Sequence, residues 1–225
     1  MTQTERITQL LQLMKDSELS MEKNFDICHY TDADGLFGIL STKSLRLTNK
    51  YFLNDINEPY YWKNVIDDSI KRNRDEWIEK IPNYDEIVLS FLKKENDFIF
   101  SLSTEIDSIH QWNYYGNGFG YAIVFDKNEL TSKLHSPGVD CSIGIVDYNS
   151  EKQKAIIDFL INVYMRLIIE SYANPAIDTR DILEKINWFT SYYKQSNHQI
   201  EKEIRIVIRT KEENVQFRIK NGIIT

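Results

Sequence analysis

The spacing of apolar positions along this chain changes several times, and each change marks an element. In residues 2–17, Ile7, Leu10, Leu11 and Met14 recur at helical spacing and predict an amphipathic helix. Residues 25–30 alternate instead, as a half-buried strand with Ile27, His29 and Thr31 on one face and Cys28 and Tyr30 on the other. Thr31 or Asp32 can cap a short helix through Leu36, Phe37, Ile39 and Leu40. Alternation over 44–48 predicts a second strand. A loop over 49–57 leads into a long polar helix over 58–77, which Pro82 breaks before helix resumes over 84–94.

Period two returns in the middle of the chain, with strands predicted over 97–103 and 119–125. Between them lies a polar-aromatic turn or short helix over 107–115, ending in Gly116 and Gly118. Asp126 can cap a helix from Lys127, residues 141–148 read as a strand, and 151–172 form the longest amphipathic helix, closed by Pro175. Asp178 or Thr179 caps another helix to about residue 193, and two strands follow, 200–209 and 215–219, around a turn at Lys211-Glu212-Glu213-Asn214. Strands scattered among helices without regular alternation predict an α+β fold rather than a doubly wound sheet. With no repeat, low-complexity tract or Gly/Ser linker, the expectation is one domain over 21–225 preceded by a helical extension over 1–20.

Charge narrows the partners. The 225 residues carry 27 basic and 34 acidic side chains, a formal charge of −7, which has the wrong sign for non-specific binding to phosphate backbones. The densest basic run, Lys71-Arg72-Asn73-Arg74, is flanked by Asp67, Asp68, Asp75 and Glu76 and reads as a solvated helix face. General nucleic-acid binding is not supported. No apolar run approaches the roughly 20 residues of a membrane span, and the N-terminus lacks a signal pattern, so a cytoplasmic protein without a membrane partner is expected. Cys28 and Cys141 are too few for a disulfide scaffold or a four-cysteine zinc site. His29, His110, His135 and His198 show no paired helical spacing of the zinc-protease type.

Four places concentrate chemistry. His29 and Thr31 sit at the end of a strand, where they suit either a ligand contact or a backbone-bonded core position. Asn54-Asp55-Ile56-Asn57-Glu58 resembles a capping box more than a calcium loop, which needs more oxygens and a Gly. Ser101-Leu102-Ser103-Thr104, followed by Trp112, Tyr114 and Tyr115, is either a strand and turn or an aromatic platform for a flat ring. In the stretch 201–209, Ile204, Ile206 and Ile208 form a buried face, so Glu201, Glu203 and Arg205 project together from the other, toward solvent or a polar cleft.

Taken in order, these pieces resemble a bacterial family catalogued as domain of unknown function 2971. The motifs are His29-Tyr30-Thr31, Leu45-Arg46-Leu47, Asn54-Asp55 with Glu58, Ser101-Leu102-Ser103 with Trp112 and Tyr114, Gly120 to Asp126, and Lys194, His198, Glu201, Glu203 and Arg205. The layout in turn looks like the ADP-ribosyltransferase superfamily, whose fold is a split mixed or antiparallel sheet flanked by helices. That resemblance implies NAD as substrate, cleavage of its nicotinamide–ribose bond, and transfer of ADP-ribose to a macromolecular acceptor, as bacterial toxins and antiphage effectors do. It implies Glu203 and Glu201 as catalytic residues, Glu203 on a ribose hydroxyl and Glu201 orienting the acceptor or supporting Glu203. The strand residues His29, Tyr30 and Thr31 would bind the dinucleotide, His29 and Thr31 at a ribose hydroxyl. Ser103 would orient the ribose or Glu203, Trp112 or Tyr114 would stack near nicotinamide, and Arg46 or Arg205 would face the diphosphate, unless Arg205 only neutralises the glutamates. Two other classes stay open: a magnesium-dependent nuclease built on Asp55, Glu58, Glu201 and Glu203, and a catalytically silent domain that binds a nucleotide or a protein.

Overall fold

The computed structural model describes residues 26–55, 57–91, 96–116, 119–134, 140–210, 219–220 and 223–224. The helix expected over 2–17, His135 and the turn at 211–214 lie outside the described residues. The strands are β1 (Asp26–Thr31), β2 (Thr48–Asn49), β3 (Asp97–Ser103), β4 (Tyr121–Asp126), β5 (Asp140–Ile145) and β6 (Glu203–Arg209), with β7 (Ile219–Lys220) and β8 (Ile223–Ile224) forming a separate pair. The helices are α1 (Ala33–Thr42), α2 (Glu58–Trp77), α3 (Tyr84–Ser90), α4 (Ile109–Tyr115), α5 (Lys127–Leu134), α6 (Ser150–Ala173) and α7 (Arg180–Thr190). Short 3-10 turns occupy Lys50–Phe52 and Ser196–Glu201. This is the α+β class expected from the irregular mixture of periods.

Contacts divide the chain into two compact units that interleave in sequence. One holds the described residues of 57–95 and 147–196; the other holds those of 17–56, 96–146 and 197–225. Neither is a continuous segment, so residues 21–225 do not fall into consecutive domains. In the helical unit, α2 buries Trp62, Val65, Ile66, Ile70 and Trp77 at helical spacing, and α6 contributes Ile157, Leu160, Ile161 and Met165. The basic run of α2 is a helix face, as expected: Arg72 pairs with Asp158 of α6 at 2.7 Å. At the start of α2, the buried Glu58 lies 3.7 Å from the equally buried Lys194. Among the described residues no helix is long and apolar enough to cross a membrane.

The second unit is built on one antiparallel sheet of order β4-β1-β3-β6-β5, with β2 also paired to β3. One edge of β3 is taken along its length by β6, from Asp97↔Arg209 to Ser103↔Glu203. The other edge is shared: β2 meets Phe98 and Ile99, and β1 meets β3 only at Cys28↔Ser103 before running along β4 with all six of its residues. Alternation places Ile27, Phe100, Leu102, Ile143, Ile204 and Ile206 in one apolar cluster on one face. The opposite face carries Cys28, Ser103, Glu203 and Arg205.

Two local expectations shift. The segment 44–48 contributes only Thr48 to a strand, although Leu45 and Leu47 still pack on the apolar cluster. Helix α1 is capped by Asp32, which accepts from the Gly35 amide at 2.8 Å, yet it buries no residue, and Phe37 and Leu40 stand exposed. Gly35 is needed there because a Cβ would sit 1.9 Å from the Thr31 hydroxyl.

At the far end of β3, the fully buried Asp97 accepts from Lys50 Nζ and Arg209 Nε, each at 2.8 Å. Burial pushes its carboxyl up, but the charges of Lys50 and Arg209 outweigh that and hold it below the ordinary value. The depressed group stabilises the fold above an unfolded value of about 4 and loses that contribution as pH falls through the lower folded one. Asp97→Asn leaves two cations facing a neutral amide and is expected to lower unfolding free energy at pH 7 by about 3–5 kcal/mol. Urea denaturation from pH 7 to pH 3 should show the wild-type advantage shrinking only in the acid limb.

Candidate active site

The middle of β1, the end of β3 and the start of β6 meet at Cys28, Ser103 and Glu203 and open onto a cleft of about 320 Å³, open solvent at its mouth included. Its lining comprises Cys28, His29, Tyr30, Ser101, Leu102, Ser103, Gln111, Tyr115, Glu201 and Glu203. Five residues singled out from the sequence, His29, Tyr30, Ser103, Glu201 and Glu203, therefore border one space. Arg205 stands behind Glu203, and Trp112 meets Tyr30 edge-on, with ring centroids 4.8 Å apart. Thr31, Arg46 and Tyr114 are not part of the lining.

Glu203 is 3% exposed and Arg205 1%. Period two sends both to the same face, so the guanidinium grips the carboxylate as a fork, Nε to Oε1 at 2.9 Å and a terminal nitrogen to Oε2 at 3.0 Å. The fork uses two of a carboxylate's roughly four acceptor positions and fixes its plane. Arg205 is thus the immediate partner of Glu203, which is the neutralising role of the two foreseen for it.

Glu201 does not lie on the strand. The sequence reading began the strand at residue 200, whereas Glu201 closes a 3-10 turn and β6 begins at Glu203. Lys202 between them takes a left-handed conformation, φ 43°, that the apolar pattern does not reveal. This kink sends the Glu201 backbone carbonyl into the structure, where it accepts from the Ser103 hydroxyl at 2.8 Å and from the Gln111 side-chain amide at 3.0 Å. The Glu201 carboxylate meets His198 Nδ1 at 3.0 Å, and His198 Nε2 meets Asp55 at 3.2 Å.

The β1 residues divide as their alternation requires. Cys28 donates to the Glu105 carbonyl at 3.1 Å, and the Tyr30 hydroxyl donates to the same carbonyl at 2.6 Å while accepting from the Ser108 amide at 3.0 Å. Burial raises both groups above their ordinary values, so thiol and phenol stay neutral in the physiological range. His29 borders the cleft, but its ring belongs with the other face: it lies 4.3 Å from the Phe100 ring, and Nδ1 meets the Ser101 carbonyl at 2.9 Å. Imidazole and acid thus share a cleft through their strands while their side chains leave the sheet on opposite faces.

Helix α4 brings Gln111 and Tyr115 to the cleft, one turn apart, and leaves Tyr114 72% exposed against the ring of His110. The i,i+4 spacing was visible in the sequence, and reading the segment as helix would have chosen Tyr115 over Tyr114. The four acids of the nuclease reading are each engaged with a nitrogen group: Asp55 and Glu201 with His198, Glu58 with Lys194, Glu203 with Arg205. Among the described residues no three His, Cys, Asp or Glu side chains are grouped to hold a metal ion.

Residues 111–206, which run from α4 into β6, match the model of a family described as protein of unknown function (DUF2971). No curated protein and no solved structure matches the chain.

A non-glycine residue in the left-handed region is strained, and Lys202 holds that position between the two acids. Lys202→Gly is expected to leave unfolding free energy unchanged or raise it, and Lys202→Val to lower it by about 1–3 kcal/mol. Urea unfolding of the two variants checks the order.

Proposed function

For a chain with this cleft, whose residues 111–206 match the DUF2971 family model, we propose an NAD-dependent ADP-ribosyltransferase activity, in which the nicotinamide–ribose bond is cleaved and ADP-ribose passes to a macromolecular acceptor. The observation that carries the reading is the meeting of β1, β3 and β6 at one cleft whose wall holds a carboxylate fixed by a buried guanidinium. Breaking that glycosidic bond develops positive charge on the ribose through an oxocarbenium-like state. A carboxylate already oriented toward a ribose hydroxyl stabilises this state more than the ground state and needs no reorganisation to do so. Glu203 takes that part, and Glu201 orients the acceptor nucleophile. Within this reading His29 fixes β1 through the Ser101 carbonyl, and Tyr30 faces the ligand side. A role as a toxin or antiphage effector is what the resemblance to the ADP-ribosyltransferase superfamily adds to this reading.

A second reading, a silent nucleotide-binding domain, draws on a specific feature: the Tyr30 and Ser103 hydroxyls both donate to backbone carbonyls of the protein itself. Incubation with labelled NAD and a cell lysate separates the two. The transferase reading expects nicotinamide release and labelled acceptor from wild type, with Glu203→Gln slower by about 10²–10³-fold. Because Gln leaves Arg205 without its anion, Glu203→Asp and the melting temperature of both variants are measured alongside. Equal labelling by wild type and a folded Glu203→Gln, or no nicotinamide release by wild type, overturns the proposal. A thermal shift with NAD but no turnover supports the silent binder.

A further inference from the structure

His198 joins two carboxylates that lie far apart in sequence. Its Nδ1 is 3.0 Å from Glu201 Oε1 and its Nε2 is 3.2 Å from Asp55 Oδ2. The ring is anchored at both ends, so it can neither flip nor rotate without losing a contact. Glu201 itself is 7% exposed and lines the cleft, whereas Asp55 is not among the lining residues. From Glu201, a lining residue, the row runs as carboxylate, imidazole and the carboxylate of Asp55. The Glu201 backbone is already fastened by Ser103 and Gln111, so the remaining freedom is in its side chain. That freedom is what His198 removes.

We propose that His198 is a positioning residue, braced by Asp55, that holds the Glu201 carboxylate at the cleft wall and so directs ADP-ribose onto the acceptor rather than onto water. The functional half of this statement rests on the transferase reading above. Orientation of a second reactant is sensitive to small displacements, while bond cleavage to release nicotinamide depends on Glu203, which Arg205 fixes independently. The row therefore governs how the activity divides between transfer and hydrolysis. An imidazole oriented by one carboxylate while serving another group is a common way to lock a side chain's direction.

The test compares wild type with His198→Leu, His198→Asn and Asp55→Asn in the full chain, measuring nicotinamide release and label transferred to lysate acceptors from the same labelled NAD. His198→Leu is expected to reduce transfer by about 10–100-fold while release stays within about twofold of wild type. Asp55→Asn should move the ratio the same way by less. His198→Asn, whose amide can still donate from near the Nδ1 position, should restore part of the transfer. Equal loss of both readouts with no rescue by Asn means a purely structural role and overturns the proposal, as does an unchanged ratio in His198→Leu. A double-mutant cycle on folding, Asp55→Ala with Glu201→Ala, is run in wild-type and His198→Leu backgrounds. Coupling of about threefold or more in the folding constant, lost without His198, supports the brace, and additive effects overturn it. Should wild type release no nicotinamide, the transferase reading falls, and this cycle still decides whether His198 positions Glu201.

Discussion

A guanidinium buried to 1% exposure cannot stand alone on the face of a sheet, and this requirement organises the candidate site. Arg205 finds its counter-charge two residues back, because the strand period sends Glu203 to the same side. Replacing both members of such a pair by apolar residues is often neutral, whereas removing one costs several kcal/mol. The pair is therefore poor as a stabilising device and effective as a means of fixing a carboxylate in one plane. Everything proposed for the cleft presumes that fixed carboxylate.

The rest of the wall is assembled around backbone carbonyls. Glu201 O gathers the Ser103 hydroxyl and the Gln111 amide, and Glu105 O gathers the Cys28 thiol and the Tyr30 hydroxyl. Each carbonyl offers two lone pairs, so one atom can join two elements. The left-handed Lys202 is what turns the first of these carbonyls inward, and its own carbonyl accepts from the Thr104 amide at 3.2 Å. Strain at one residue thus aligns the end of β3, helix α4 and the start of β6.

Where local pattern and tertiary packing agree, the sequence was readable to the residue. Helix α2 and strand β3 begin and end where period 3.6 and period 2 place them, and Asp32 and Asp126 cap the helices assigned to them. The misses have separate physical causes. The apolar stripe of α1 is amphipathic in sequence yet buries nothing, because periodicity reports a face and not whether anything covers it. The start of β6 was misplaced because a left-handed Lys leaves no mark on hydrophobic spacing. Among the residues that line the candidate cleft, His29, Tyr30, Ser103, Glu201 and Glu203 were singled out through strand ends and charge. Tyr115 was named within the aromatic segment, whereas Gln111 and the link from Asp55 through His198 to Glu201 depend on how segments far apart in the chain come together, which one-dimensional spacing does not encode.

The charge arrangement also bears on the kind of ligand such a cleft can serve. Both acids have a nitrogen-bearing neighbour in contact, Glu203 the Arg205 guanidinium and Glu201 the His198 ring. Carboxylates held this way offer acceptor oxygens in fixed directions. In the same lining, Cys28 and Tyr30 stay neutral because burial raises both, and each donates to the Glu105 carbonyl. Under the proposed reading, acceptors held in fixed directions suit a hydroxyl-bearing ring that becomes positive only in passing, since extra negative potential then matters most at the transition state.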